Sequence, residues 1–252
     1  MRKLPIAVQL YTLRDDMEKD FDGIISKVAA IGYTGVEFAG FGGHTAAEIR
    51  TLLDNNGLAA AGSHTGLDQF ESDIQQVIDF NLAIGNRVVS IPYLSEDLRN
   101  SADAYKRIGA KLAGYGQTLK EAGLVLAYHN HDFEFKKQDN GELGMDILLN
   151  SADPSVLQAE IDTYWILHAG IDPVAYLHGL RGRVPLVHIK DKNAEDGTFA
   201  EVGTGVLPLE GIIKEASEGN TEWLIVEQDV CKGAPLDSVT LSFANLKKLG
   251  YA

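Results

Sequence analysis

Four apolar runs in the second half of this 252-residue chain end in side chains that bind cations or move protons. They close as Tyr128-His-Asn-His-Asp-Phe-Glu134, Glu160-Ile-Asp162, His188-Ile-Lys-Asp191 and Glu227-Gln-Asp229. Side chains of an extended chain alternate between faces, so His129 shares a face with His131, Glu160 with Asp162, and His188 with Lys190. Carboxylates with one imidazole, such as Glu134, Asp162, His188 and Glu227, form a donor set for one divalent cation, Mn²⁺, Mg²⁺, Co²⁺ or Zn²⁺. Without a cation, carboxylates so close together would hold protons rather than charges. Beside a ketone, such an ion is a Lewis acid that acidifies the neighbouring C–H and holds the developing enediolate oxygen. Glu227 or His129 is then the base, and His131 or Lys190 returns a proton or protonates a leaving hydroxyl. Epimerisation, isomerisation and elimination all follow from that start.

Earlier runs place Gln9, Tyr11, Glu37, His64 and Tyr93 where they line the same mouth and bind substrate hydroxyls. Phe133 and Trp165 offer apolar faces for the C–H side of a sugar ring, and Lys190 is a further substrate contact. Glu160 reads equally well as a buried ion-paired carboxylate, and Glu201-Val-Gly-Thr-Gly205 equally well as a turn. His44, His168 and His178 read as surface or structural residues, Tyr128 as core, and Cys231 as inert.

Positioning these residues requires a regular scaffold. Short runs rich in β-branched residues alternate eight times with segments of helical period. The strands fall at Ile6 to Leu10, Gly35 to Phe38, Ala59 to Ser63, Arg87 to Ile91, Leu124 to His129, Leu157 to Asp162, Pro185 to Ile189 and Trp223 to Glu227. The helices follow at Phe21 to Ile31, Thr45 to Asn56, Gln69 to Ile84, Ala102 to Ala122, Asp146 to Asn150, Asp172 to Leu180, Leu209 to Glu218 and Leu236 to Leu249. Gly32, Gly57, Gly85 and Gly123 each stand between a helix and the next strand, as helix-closing glycines do. Eight such units in this length predict an α/β fold, a single (β/α)8 TIM barrel over residues 1–252. The long stretches Asp132 to Leu143 and Asp191 to Pro208 follow strands and so belong to the face where barrels build their sites. No dinucleotide fingerprint, phosphate loop, nucleophile elbow or Cys-x-x-Cys interrupts the pattern.

Composition narrows the partners. The chain is 45% apolar and 23% charged, ordinary for a globular protein. Its net charge of -14 argues against nucleic acid. It also favours a neutral sugar or cyclitol over a phosphorylated one. One cysteine and no apolar run of membrane-spanning length lead to the expectation of a cytoplasmic protein with no membrane partner. A homo-oligomer is compatible with a barrel of this kind.

At these residues the chain resembles the sugar phosphate isomerase/epimerase superfamily of xylose isomerase-like barrels. The likeness spans the barrel through Tyr128-His-Asn-His-Asp-Phe-Glu-Phe135, Glu160-Ile-Asp-Thr-Tyr-Trp165, Val187-His-Ile-Lys-Asp191, Glu201-Val-Gly-Thr-Gly205 and Val226-Glu-Gln-Asp229. The resemblance implies a divalent-metal-dependent isomerase or epimerase of a keto-sugar or related polyol, with inosose dehydratase-like or 3-keto-glycoside lyase chemistry as the alternative. It implies Asp162, His188 and Glu227 as metal ligands, with Glu134 preferred over His129 as the fourth. Many epimerases carry a glutamate where this chain has His129, and the His-Asn-His pattern is closer to the inosose dehydratase-like branch. Two other classes share the scaffold: a DNA-repair endonuclease, disfavoured by charge, and a sugar-binding barrel without catalysis.

Overall fold

A computed structural model describes residues 2–252. Eight parallel strands close into a barrel: β1 (Ile6–Gln9), β2 (Gly35–Phe38), β3 (Ala59–His64), β4 (Val88–Ile91), β5 (Val125–His129), β6 (Gln158–Asp162), β7 (Leu186–Ile189) and β8 (Trp223–Val226). Each strand pairs with its neighbours in sequence, and β1 closes on β8. Around them lie α1 (Phe21–Ile31), α2 (Ala46–Asn56), α3 (Leu67–Ile84), α4 (Ala102–Glu121), α5 (Gly144–Asn150), α6 (Pro173–Gly179), α7 (Leu209–Glu218) and α8 (Pro235–Lys248). The expected (β/α)8 architecture is therefore present. Among the described residues, no helix is long and apolar enough to cross a membrane.

Local chemistry explains the boundaries. Asp20 and Ser101 cap α1 and α4, and Thr45 with Glu48 forms a capping box at α2. The four glycines expected to close helices all have positive φ. Two short elements escape a period-based reading. The chain tightens into a 3-10 turn at Leu10–Leu13, because the Gln9 side chain accepts from the Tyr11 amide. A helical turn, Thr163–His168, starts at the end of β6 because Asp162 accepts from the Tyr164 and Trp165 amides.

The two faces of each strand divide the interior. Outward side chains such as Val8, Val36, Ile91, Tyr128, Ile161 and Val187 join the main core with the helices. Inward, Ala7, Ala61, Val88, Ala127, Leu186 and Ile225 form a small apolar plug. Above it the interior turns polar with Gln9, Glu37, Ser90, His129, Glu160 and His188, all buried. Gly62 makes room for one of these: a β-carbon there would lie 2.5 Å from Glu37 Oε1 and 2.9 Å from Leu186 Cδ1. We expect Gly62→Ala to lower stability by about 1–3 kcal/mol through overpacking. Urea unfolding checks this, and an unchanged midpoint would show that Glu37 can move aside.

Candidate metal centre and active site

The polar interior is arranged in two levels. In the lower one, Glu160 Oε1 accepts from two imidazoles, His64 Nε2 at 2.6 Å and His129 Nδ1 at 2.8 Å, with His188 Nε2 beside it at 3.1 Å. Ser90 donates to its other oxygen. Burial pushes Glu160 upward, but His64 and His188 outweigh it and hold the carboxyl well below its usual range. An ionised carboxylate only accepts, so each ring nitrogen facing Glu160 carries a proton. Two imidazoles donating to one oxygen and a hydroxyl to the other make a hydrogen-bonded cage, although His64, His129, Glu160 and His188 also place donor atoms within 4.8 Å of one another. Beside it, Glu37 accepts from Gln9 Nε2 at 2.8 Å and from His188 Nε2 at 2.6 Å, and burial with the neighbouring Glu160 raises it to about 7.

The upper level opens to the mouth. His129, Asp162, His188 and Glu227 each offer a donor atom within 4.8 Å of the others. With its Nδ1 tied to Glu160, His129 turns Nε2 toward Asp162 Oδ2 at 3.9 Å, and His188 Nδ1 faces Glu227 Oε2 at 2.9 Å. Asp162 is positioned by Asn130, whose side-chain amide replaces a strand rung: it donates to Asp162 O at 3.1 Å and accepts from Asp162 N at 3.0 Å. Asp162 Oδ1 caps the helical turn, while Oδ2 is buried without a hydrogen-bond partner. Lys190 Nζ lies 2.9 Å from that oxygen but outside hydrogen-bonding geometry. A carboxylate oxygen that is ion-paired with Lys190 but makes no hydrogen bond, beside two imidazoles and a second carboxylate, fits a divalent cation.

Lys190 is fully buried, with Nζ also 2.9 Å from Glu227 and 3.1 Å from Asp229. Burial would depress it, but Asp162, Glu227 and Asp229 hold it well above its ordinary value. Glu227 would rise on burial, yet Lys190 and His188 keep it well below the usual carboxylate range. His131 is the opposite case: burial, then His129 and Lys190, drive it down to about 2, so it stays neutral. Its Nδ1 and the Trp165 Nε1 are buried and unpartnered. His131 stacks on Phe133 at 5.1 Å and lies 5.6 Å from Trp165, and Lys190 Nζ sits 5.7 Å from the Trp165 ring centroid. A cavity of about 610 Å³ opens over these groups, with Tyr11, Phe41, His64, Tyr93, Glu227 and Asp229 among its lining.

With this geometry in view, the relatives of the chain are informative. The xylose isomerase-like TIM barrel family matches residues 25–248. The chain belongs to that family. It is 23% identical to an inosose dehydratase of Clostridium beijerinckii over 85% of this chain and 86% of the relative. It is 26% identical to an inosose dehydratase of Mesomycoplasma hyopneumoniae over 98% of this chain and 96% of the relative. A crystal structure of a sugar phosphate isomerase/epimerase from Parabacteroides distasonis superposes with a TM-score of 0.85 at 22% identity, covering 100% of this chain and 96% of that one.

Within this xylose isomerase-like barrel, Asp162, His188 and Glu227 come together as the sequence suggests, but Glu134 does not join them. It lies behind the barrel wall, fully buried, bonded by the Tyr128 hydroxyl and by the His131 amide at 2.7 Å. The 3-10 turn Phe133–Phe135 carries it to the outer face, and His129 stands at the fourth donor position instead. Gln9 and Glu37 also depart from the expectation of substrate contact: both are fully buried below the cluster, where they brace His188. His64 lines the cavity while it braces Glu160, and Phe133 and Trp165 flank His131. Sequence reading missed Ser90 and Asn130. The signal for Ser90 was a lone hydroxyl at an inward position of an apolar strand. Glu201-Val-Gly-Thr-Gly205 is a loop anchored by Asp191, whose carboxylate accepts from the amides of Lys192, Gly203, Gly205 and Leu207.

Two outcomes follow. Glu160→Gln should weaken Mn²⁺ or Zn²⁺ binding by about 10–100-fold, measured by competition with a chelator, because it frees the ring of His129. Unchanged affinity would separate the lower level from the cation site. Burial raises Glu134 to about 7, so between about pH 4.5 and 7 the folded protein keeps a proton that the unfolded chain has released. Stability from this group is therefore present at low pH and lost as pH rises through that window. Glu134→Gln should flatten the slope and exceed the parent at pH 8 by on the order of 1–3 kcal/mol in thermal melts.

Proposed function

We propose that this barrel removes a proton from the carbon next to a carbonyl in a small uncharged keto-polyol, a keto-sugar or an inosose, and thereby isomerises or epimerises it. The observation that carries the reading is the four-donor cluster of His129, Asp162, His188 and Glu227 beside the cavity, with the unpartnered ring nitrogen of His131 and the buried ammonium of Lys190 next to it. A divalent ion held by His129, Asp162, His188 and Glu227 would supply Lewis acidity, which acidifies a C–H bond beside a carbonyl. Two imidazoles in the donor set favour Mn²⁺, Co²⁺ or Zn²⁺ over Mg²⁺, which prefers oxygen.

The side chains divide the remaining work. Glu227, held ionised by Lys190 and His188, takes the proton, while His131 through its unpartnered nitrogen and Lys190 through its ammonium hydrogen-bond the substrate oxygens. His129 is a ligand rather than a base, since Nδ1 is committed to Glu160. Trp165 and Phe133 exclude water from the ring's C–H face. Glu227 and Asp229 face the cavity, and the ammonium nearest it, Lys190, is already matched by three carboxylates, which disfavours a phosphorylated substrate.

One observation favours elimination as a second reading. The fifth strand presents an imidazole where a two-carboxylate proton exchange needs a glutamate, so the same abstraction would end in loss of a β-hydroxyl protonated by Lys190. The named relatives are inosose dehydratases, in agreement with this variant.

Incubation of metal-loaded protein with a panel of ketoses and inososes in deuterated water tests both. Exchange of the α-hydrogen by NMR without loss of mass supports isomerisation or epimerisation, and loss of one water by mass spectrometry supports elimination. His131→Ala and Lys190→Met should each slow exchange by roughly 10²–10⁴-fold. No exchange with any member of the panel would overturn the proposal.

A further inference from the structure

Polar atoms that face the mouth are of two kinds, those already matched and those left free. Glu227 and Asp229 are matched by Lys190, and both nitrogens of His129 turn toward carboxylates, Nδ1 to Glu160 and Nε2 to Asp162. His64 differs. It closes β3, lines the cavity and keeps 11% of its side chain open, against 3% for His129 and none for His188. Its Nε2 donates to Glu160 Oε1 at 2.6 Å. Among the described residues no protein group bonds to its Nδ1, and that nitrogen is left open to the cavity.

Neighbouring rings hold this pose. His64 stacks on His188 with centroids 5.7 Å apart and planes 6° from parallel, and meets His129 edge-on at 5.0 Å. A carboxylate that accepts from one imidazole nitrogen fixes the tautomer, makes the other nitrogen more basic and steadies the imidazolium that forms when it is protonated. With Glu160 beneath it, His64 therefore offers the ligand a nitrogen that can take up a proton and give it back. Position matters as much as chemistry. β3 and β8 lie three places apart around the closed ring, so His64 and Glu227 approach the cavity from different sectors. A planar enediolate lying between them meets one group on each face.

We propose that His64 is the second proton-transfer residue of this site, acting on the face of the substrate opposite Glu227, and that the reaction is inversion at the carbon beside the carbonyl. This role rests on the reading that Glu227 removes the proton. As Glu227 takes the proton from one face, the C–H electron pair passes into the enediolate. The same carbon then takes the Nδ1 proton of the His64 imidazolium on the other face, which re-forms the C–H bond and the carbonyl. One C–H bond breaks and one forms, nothing is oxidised or reduced, and the protein is left with a protonated Glu227 and a neutral His64. Proton exchange with water at the open mouth resets both groups. In the reverse direction neutral His64 is the base and protonated Glu227 the acid. His129 on the fifth strand cannot fill this place, because both of its nitrogens are committed.

The test follows, in deuterated water, each member of an epimeric pair from the ketose and inosose panel that the metal-loaded parent interconverts. In His64→Gln, whose side-chain amide keeps a donor for Glu160, inversion should fall by roughly 10²–10⁴-fold. The epimer whose C–H faces Glu227 should still gain deuterium at that carbon, and the other should gain none. Circular dichroism and metal content matched to the parent establish that the fold and the cation site survive the change. Added imidazole should restore part of the inversion lost in His64→Ala, which a purely structural role would not allow. Inversion retained in His64→Gln, exchange kept or lost alike for both epimers in the folded, metal-loaded variant, or a parent that isomerises or dehydrates its substrates without inverting them would overturn the role of His64 and leave the proposed proton removal standing. No exchange by the parent with any member of the panel would instead remove the proposed reaction and the part of His64 in it together.

Discussion

An ionised carboxylate deep inside a barrel must be surrounded by donors, because removing its charge from water costs several kcal/mol unless hydrogen bonds replace the lost solvation. Glu160 meets that requirement with three donors, Ser90 on β4, His129 on β5 and His64 at the end of β3, while the His188 ring on β7 stands 3.1 Å away. Barrel interiors are usually filled by branched aliphatic residues. Here the aliphatic filling stops at a thin plug, and the polar level above it ties half the strands to one point. The orientation of the imidazoles that face the mouth is thus decided from below. Because Glu160 takes the Nδ1 proton of His129, Nε2 is left to face upward, and Glu37 acts on the far nitrogen of His188 in the same way.

Charge balance at the mouth follows from the same constraint. Asp162, Glu227 and Asp229 gather around one ammonium, Lys190, whose proton they hold firmly. His131, placed close to that ammonium and enclosed by Phe133 and Trp165, is kept neutral. The ammonium and the neutral imidazole therefore stand beside the same aromatic side chains in fixed and different charge states, each offering the mouth a set hydrogen-bonding group.

Much of this was legible in the sequence, for identifiable reasons. Period-two alternation correctly paired His129 with His131 and His188 with Lys190, because a strand's faces are fixed by its pleat. Helix-closing glycines located four of the strand starts, since the left-handed conformation leaves a sequence mark. Alternation carries one or two residues past the strand ends, to Lys190 and His131, and then fails. Glu134 lies five residues beyond His129, and a 3-10 turn, invisible to pattern, swings it behind the wall to Tyr128. Depth is equally hidden: Gln9 and Glu37 have the right face but sit one level too low for a ligand to reach, a matter of strand stagger around the barrel that no single strand reveals. The loop after β7 is a third case, since its glycines serve Asp191 rather than a ligand, and a β-carbon on Gly205 would meet that carboxylate at 2.3 Å.

The closed barrel also explains why the two halves of the mouth can differ. Side chains from seven of the eight strands, His64 at the end of β3 among them, contribute to the polar level, so stability of the interior is shared around most of the ring. Each βα loop, in contrast, reaches only its own sector, and can change character without disturbing the cage beneath. Loops after β1, β2 and β4 bring tyrosine, phenylalanine and proline over the opening, while the ends of β5 to β8 bring charge. Asp229 and Arg14 join the sectors: the backbone oxygen of Asp229 accepts from Arg14, which lies over Tyr11, and its carboxylate accepts from Lys190. Asp229 thus belongs to both sectors, its backbone holding the guanidinium over Tyr11 and its carboxylate facing the Lys190 ammonium.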